Sequence, residues 1–298
     1  MSWLLIVVVA YALNAVAIAI DKALLKQIVP HPGAYTFFIA LLGALGVVLW
    51  PFEFALPTAS QAALAVVIAI TFVAALYLMF RALKRGDASR IAPFIGGLSP
   101  LFVFMLAAVA LGERLAGSQL VAVAVMLAGT LLISWHRHTK KALRGVFRTA
   151  AAAAACFAVS YVLTKVLYEQ AAFIPAFVWI RIAVAVVAVG LLWSPATRQA
   201  VKQMFTQSSG ESQTAFGIGQ AAGALSMILI SWAISLASVS MINALQGLQY
   251  IFLFGIVLAL KGRYPKLLDE DLSPAVYVQK IISILLIGGG LLLVSWPL

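Results

Sequence analysis

Ten residues between Ala15 and Trp50 recur 143 positions later without a gap: Ala15/Ala158, Val16/Val159, Lys22/Lys165, Leu24/Leu167, Gln27/Gln170, Pro32/Pro175, Ile39/Ile182, Ala40/Ala183, Leu49/Leu192 and Trp50/Trp193. Aliphatic matches arise easily in an apolar chain, but a Lys, a Gln, a Pro and a Trp in one register mark a duplication. Whatever fold the first copy adopts, the second must be able to adopt it too. That constraint comes before any assignment of individual elements.

The repeated unit consists of long apolar runs. A helix needs about 20 mostly apolar residues to cross the hydrocarbon layer, and ten stretches qualify: Trp3–Ala23, Ala34–Phe54, Gln61–Leu83, Ile91–Leu111, Gln119–Trp135, Val146–Leu167, Ile174–Trp193, Ala215–Leu236, Met241–Leu260 and Val276–Trp296. The runs are continuous, without the alternation of a membrane barrel strand, so they predict helices. With 64% hydrophobic and 10% charged residues, the chain lies far from a soluble composition. The expected fold class is an all-α integral membrane protein with ten transmembrane helices, divided into units at 1–138 and 144–298. Ser194–Thr214 is the longest expected loop, too short for a soluble domain.

Five helices per unit is an odd number, so the second copy enters the membrane from the opposite side and the two repeats are inverted. A second echo, Ala82, Ser89, Ile91 and Gly96 against Ala233, Ser240, Ile242 and Gly247, carries the duplication through the fourth and ninth helices. The net charge of +11 does not form a nucleic-acid-binding face, because the basic residues sit in short clusters between apolar runs. Of the 20 Lys and Arg, 17 fall in the odd-numbered connections, whereas only Arg114 and Lys165 fall on the other side. The positive-inside rule then places the odd connections in the cytoplasm and both termini outside.

The first apolar run lacks a basic n-region and has an internal counterpart near Ala150–Leu167, so it reads as a retained helix and not a signal peptide. Gly219 and Gly223, the alanines 150–155 and Gly288–Gly290 suit close helix packing. The single cysteine, Cys156, excludes an internal disulfide and a cysteine-based metal site.

Four segments resemble a known repeat: Ala82-Leu-Lys-Arg-Gly-Asp-Ala-Ser-Arg-Ile-Ala-Pro93, Leu98-Ser-Pro-Leu101, Leu111-Gly-Glu-Arg-Leu115 and Ala128-Gly-Thr-Leu-Leu132. In order and spacing they are similar to the end of the EamA-like repeat of the drug/metabolite transporter superfamily. The resemblance implies ten helices in two inverted fives and transport of small metabolites. It departs from the family at two places. Phe38 stands where the second repeat has Arg181, and Lys261-Gly-Arg-Tyr-Pro265 replaces the Gly-Glu-Arg-Leu element after the ninth helix.

In such a protein the informative positions are polar groups at depth, since they are expensive in hydrocarbon and need compensation. Arg181, about seven residues into its span, either pairs with a neighbouring helix or contacts a carboxylate or phosphate of a substrate. Asn243, Gln246 and Tyr250 are spaced by three and four and share one face of a continuous ninth helix, beside Gln249. That stripe is interhelical glue or the lining of a polar cavity. Asn14 and Gln220 can face the same space, with Tyr77, Tyr161, Trp179 and Trp232 as candidate aromatic walls. Asp21, Lys22 and Lys165 are helix-end charges or a gating ion pair.

No Asp or Glu occupies the middle of any expected span, which argues against cation exchange through a buried carboxylate. His31, His136 and His138 lie outside the spans, with no metal-site spacing, and no phosphate-binding loop is present. The expected protein is therefore not an enzyme and uses no cofactor or metal. It is a secondary transporter in the cell membrane, surrounded by lipid, that moves a small-molecule substrate of zwitterionic or anionic character by alternating access. A flippase for a lipid-linked headgroup and a non-transporting scaffold or enzyme are the alternatives.

Overall fold

The fold is that of a computed structural model, which describes residues 2–25, 31–85, 88–114, 116–134, 144–206, 210–260 and 274–295. Among these residues the chain is helical throughout, without strands. The helices are α1 Ser2–Leu25, α2 Pro32–Gly43, α3 Ala59–Arg85, α4 Ala88–Ala110, α5 Gly117–Ser134, α6 Arg144–Gln170, α7 Phe173–Val189, α8 Pro195–Thr206, α9 Gly210–Leu236, α10 Val239–Ala244, α11 Gly247–Leu260 and α12 Pro274–Ser295. Both α2 and α7 tighten into 3-10 turns at their ends, Ala44–Phe52 and Gly190–Trp193.

Local chemistry sets several boundaries. His31 is extended and Pro32 opens α2, where a missing N–H is harmless. Thr58 and Gln61 form a reciprocal capping box at the start of α3: Gln61 N donates to Thr58 Oγ1 at 3.3 Å and Thr58 N donates to Gln61 Oε1 at 2.9 Å. Gln119 closes α5 in a related way, accepting from Ala116 N at 3.0 Å.

Seven helical stretches among the described residues are long and apolar enough to cross a membrane, and Phe94–Ala110, Gly117–Leu132 and Ile281–Gly290 are shorter apolar helices. Leu5, Val48, Val109, Val186 and Leu285 are all at least 66% exposed, and so many bare aliphatic side chains require a lipid solvent. The chain is a multi-pass membrane protein.

Two features differ from the sequence expectation. The expected loop Ser194–Thr214 contains α8, which buries Thr197 and Ala200 and exposes Arg198, Gln199 and Lys202. Its apolar residues Ala196, Ala200, Val201, Met204 and Phe205 recur at helical spacing between polar ones, so they form no continuous apolar run. The ninth span is also not one helix, because it breaks between α10 and α11 at Leu245–Gln246.

The main helix pairs are α1 with α9, α3 with α6, α5 with α12, α4 with α6, α3 with α7, α1 with α11, and α2 with α7. Lipid supplies no hydrophobic drive for such pairing, so close approach matters most. A side chain at Gly219 would meet Ile20, and Ser226 Oγ donates to Ala10 O at 2.7 Å, so α1 and α9 meet through small residues. In the alanine run, Ala150, Ala153 and Ala154 are fully buried.

Candidate functional site

Arg181 is eight residues into α7, about 12 Å along its axis by helical rise and near the middle of the Phe173–Trp193 span. It is only 6% exposed. The guanidinium lies 5.5 Å from the Phe72 ring centroid and 5.1 Å from that of Phe177, and Nη1 points at the Met227 sulfur. Tyr161 and Tyr168 on α6 are within electrostatic reach. Phe72, Phe157 and Tyr161 continue outward as an aromatic row, with centroids 5.9 Å and 6.2 Å apart.

No carboxylate pairs with Arg181 among the described residues, and its Nε is buried without a hydrogen-bond partner. A charge at mid-span costs about 2.5–3.5 kcal/mol on insertion scales. Cation–π contacts return roughly 1–2 kcal/mol each when desolvated. The aromatic rings hold the guanidinium in place without neutralising it.

The second polar group surrounds the break in the ninth span. Asn14 Nδ2 donates to Gln249 Oε1 at 2.5 Å, and Tyr11 Oη donates to Ile242 O at 2.9 Å, so α1 clasps both sides of the break. Asn243 is 3% exposed and turns back onto its own helix, donating to Val239 O at 2.9 Å. The expected common face of Asn243, Gln246 and Tyr250 is interrupted by a turn at Leu245–Gln246, where Gln246 N donates to Asn243 O at 3.0 Å and Leu248 N donates to Leu245 O at 2.9 Å. Tyr250 instead packs on α4, where a side chain at Gly96 would collide with its hydroxyl. Gln246 stands in the break itself, partly accessible. Tyr11 lies within electrostatic reach of both Tyr161 and Tyr250, which joins this group to the surroundings of Arg181.

Gln220 is seven residues before Met227 on α9, so the two share a face about 10 Å apart along the helix. Lys165 pairs with Glu169 one turn along its own helix at 3.8 Å. The side chains of Asp21 and Lys22 lie outside the described residues. Of the candidate aromatic walls, Tyr161 is in place, but Trp232 is 43% exposed and points away. Trp179 sits on the face of α7 opposite Arg181, where Nε1 donates to Ala55 O at 2.9 Å and the ring packs on Trp50. It lines an apolar cavity of about 200 Å³ with Leu56, Pro57, Leu167, Pro175 and Ala176.

The connection after α2 is tied to that after α6, and the connection after α4 to that after α9. Gln61 Nε2 donates to Gln170 O at 3.0 Å. After α4, Gly112 adopts φ +63°, a conformation glycine enters readily, and the turn aims Glu113 at the start of α10. There the carboxylate accepts from Ser238 Oγ at 2.9 Å, Val239 N at 3.0 Å and Ser240 Oγ at 2.6 Å. Negative charge at a helix N-terminus is favourable, so Glu113 fixes the first piece of the broken helix. In the sequence Gly112 and Glu113 stand out only through the resemblance of Leu111–Leu115. Their isolation between two spans, opposite Ser238 and Ser240, is the signal that such a clasp leaves.

A solved crystal structure, 19% identical in sequence, superposes with a TM-score of 0.68 over 99% of this chain and 96% of its own. It shows that the overall fold, from end to end, is one already seen. A search of curated proteins gave no match. The stretch that bears the Lys84–Pro93 and Gly112–Leu115 signatures lies inside residues 1–135, which match the family described as the EamA-like transporter family. Through those residues, the first part of the chain is similar to the EamA-like transporter family.

Proposed function

We propose that the chain is a secondary transporter that binds the anionic group of a small metabolite at Arg181 and moves it by alternating access. Residues 1–138 and 144–298 form its two inverted five-helix repeats, with ten crossings and the odd connections in the cytoplasm. The helix pairing supports two related halves: exchanging first to fifth helices with sixth to tenth turns α1–α9 into α6–α3 and α4–α6 into α11–α1, and α5–α12 and α2–α7 map onto themselves, whereas the extensive α3–α7 contact has only a small counterpart in α9–α2. A ninth span broken beside the polar group supports the location, since discontinuous helices line binding sites in transporters of this general architecture.

The observation that carries the reading is Arg181, a buried cation at mid-span with an unpartnered Nε and no carboxylate beside it among the described residues. A bound carboxylate or phosphate would complete it. The ties through Glu113, Gln61 and Trp179 then hold the outer face shut while substrate exchanges with the other side.

The test is a melting-temperature screen of purified protein against small carboxylates and phosphates, followed by counterflow of any stabilising compound in proteoliposomes. Arg181→Gln is expected to abolish both the shift and the counterflow while the protein still purifies as a folded species. Counterflow that persists in Arg181→Gln would remove the site from the proposal.

A further inference from the structure

Arg181 is a single charge, and what surrounds it restricts the ligand beyond "anionic". The walls nearest its guanidinium are Phe72, Phe177 and Met227, with Tyr161 behind Phe157. Two aromatic faces, a thioether and a phenol make an apolar and polarisable enclosure. Phe72 packs edge to face on Phe157 and Phe157 stacks on Tyr161, so aromatic surface continues away from the guanidinium.

The charge inventory is as restrictive as the shape. Helices α2, α3 and α7 contain no Asp or Glu. The acidic residue of α6, Glu169, is 54% exposed at the end of its helix and pairs with Lys165. A zwitterion would bring its ammonium into a space that already holds an unneutralised guanidinium and, among the described side chains, has only neutral acceptors. In a low-dielectric interior that second cation is strongly disfavoured. A dianion has the opposite fault, because a second buried cation is absent among the described residues of these walls. One negative charge satisfies the electrostatics, and an apolar body satisfies the walls.

We infer that the substrate of this site is a monoanion with a flat apolar body, of the aryl monocarboxylate class, and not an amino acid. The carboxylate takes the Nε edge of Arg181 that lacks a partner, and the ring lies among Phe72, Phe177 and Tyr161. This rests on the reading of Arg181 as the substrate contact, and it narrows the class that reading admits.

Four probes of similar size separate the possibilities: benzoate, benzamide, phthalate and phenylalanine, titrated against the detergent-purified protein with melting temperature as readout. Benzoate is expected to raise the melting temperature with an apparent Kd at least tenfold below those of the other three. Arg181→Gln removes the benzoate response, Arg181→Lys keeps a weakened one, and Phe72→Leu weakens benzoate several-fold while Arg181 remains. Phenylalanine or phthalate binding as tightly as benzoate, in an Arg181-dependent manner, would overturn the class and leave Arg181 as an anion contact. Benzoate responses unchanged in Arg181→Gln, or no response to benzoate at any concentration up to tens of millimolar, would overturn both.

Discussion

Glu113 offers the most direct test of how the two halves are joined. Its carboxylate accepts three hydrogen bonds from the first residues of the ninth span, at 2.9, 3.0 and 2.6 Å. The Ser238 hydroxyl can donate to Glu113 because its own oxygen is already engaged, accepting from Met241 N at 3.3 Å. Hydrogen bonds to a charged group contribute about 1.5–3 kcal/mol each when buried. Glu113 is partly exposed, so each bond counts below that buried range, at about 1 kcal/mol, which gives roughly 3–4 kcal/mol with the helix-dipole term included. Glu113→Ala should lose most of this.

Glu113→Gln is the more discriminating change, because shape is kept while one acceptor becomes an NH2 facing donors. Only the remaining amide oxygen accepts, and Ser240 can rotate to receive the new donor, so the expected loss is about 1–2 kcal/mol. Cys156 is the only cysteine, and its reaction with a thiol-reactive fluorophore on heating reports unfolding of α6 and the packing around it. Hydrogen exchange at the Val239 and Met241 amides reports α10 itself. The expected result is a melting temperature lowered by several degrees in Glu113→Ala, less in Glu113→Gln, with faster exchange at both amides in each. Melting within a degree of the parent and unchanged exchange in Glu113→Ala would refute the idea that this carboxylate holds the helix start.

Two further outcomes are expected. Single cysteines placed at 243, 246 and 250 in a Cys156→Ala background should differ in reaction with a water-borne maleimide: position 246, in the helix break, labels, whereas 243 and 250, only 3% and 6% exposed in the parent, stay protected; equal labelling at all three would restore a continuous polar face. His31 sits at the N-cap of α2 beside Thr197, and burial first, then the charge of Lys84, lower its pKa. The unfolded chain therefore binds the proton more readily, so stability falls as pH drops through the ordinary histidine value of about 6.5; thermal unfolding between pH 8 and 5 should show this loss, reduced in His31→Gln, and an identical pH profile in the variant would exclude His31.

The sequence carried the helices more clearly than the breaks in them. The described residues of the ten apolar runs are almost all helical, because twenty apolar residues in lipid have no other way to satisfy their backbone. The interruption at Leu245–Gln246 was not legible, since neither residue is a Gly or Pro and the apolar run continues across it; the signal was Gly247 together with the polar pair Gln246 and Gln249. Helix α8 was missed for the converse reason, being short and amphipathic where the search asked for length and hydrophobicity. Arg181 was legible because a charge in the middle of an apolar run stands out against everything around it. Its surroundings were not: Phe72, Phe157, Phe177 and Met227 come from three other parts of the chain and from the helix itself, and nothing distinguishes them in sequence from dozens of ordinary core residues. The duplication helps here through its failure. Phe38 occupies the place of Arg181 in the first repeat, buried on α2 against α7. One repeat thus supplies an apolar side chain and the other a cation at related positions of a paired α2 and α7, and an asymmetric pair is what a ligand with one charged end and one apolar end requires.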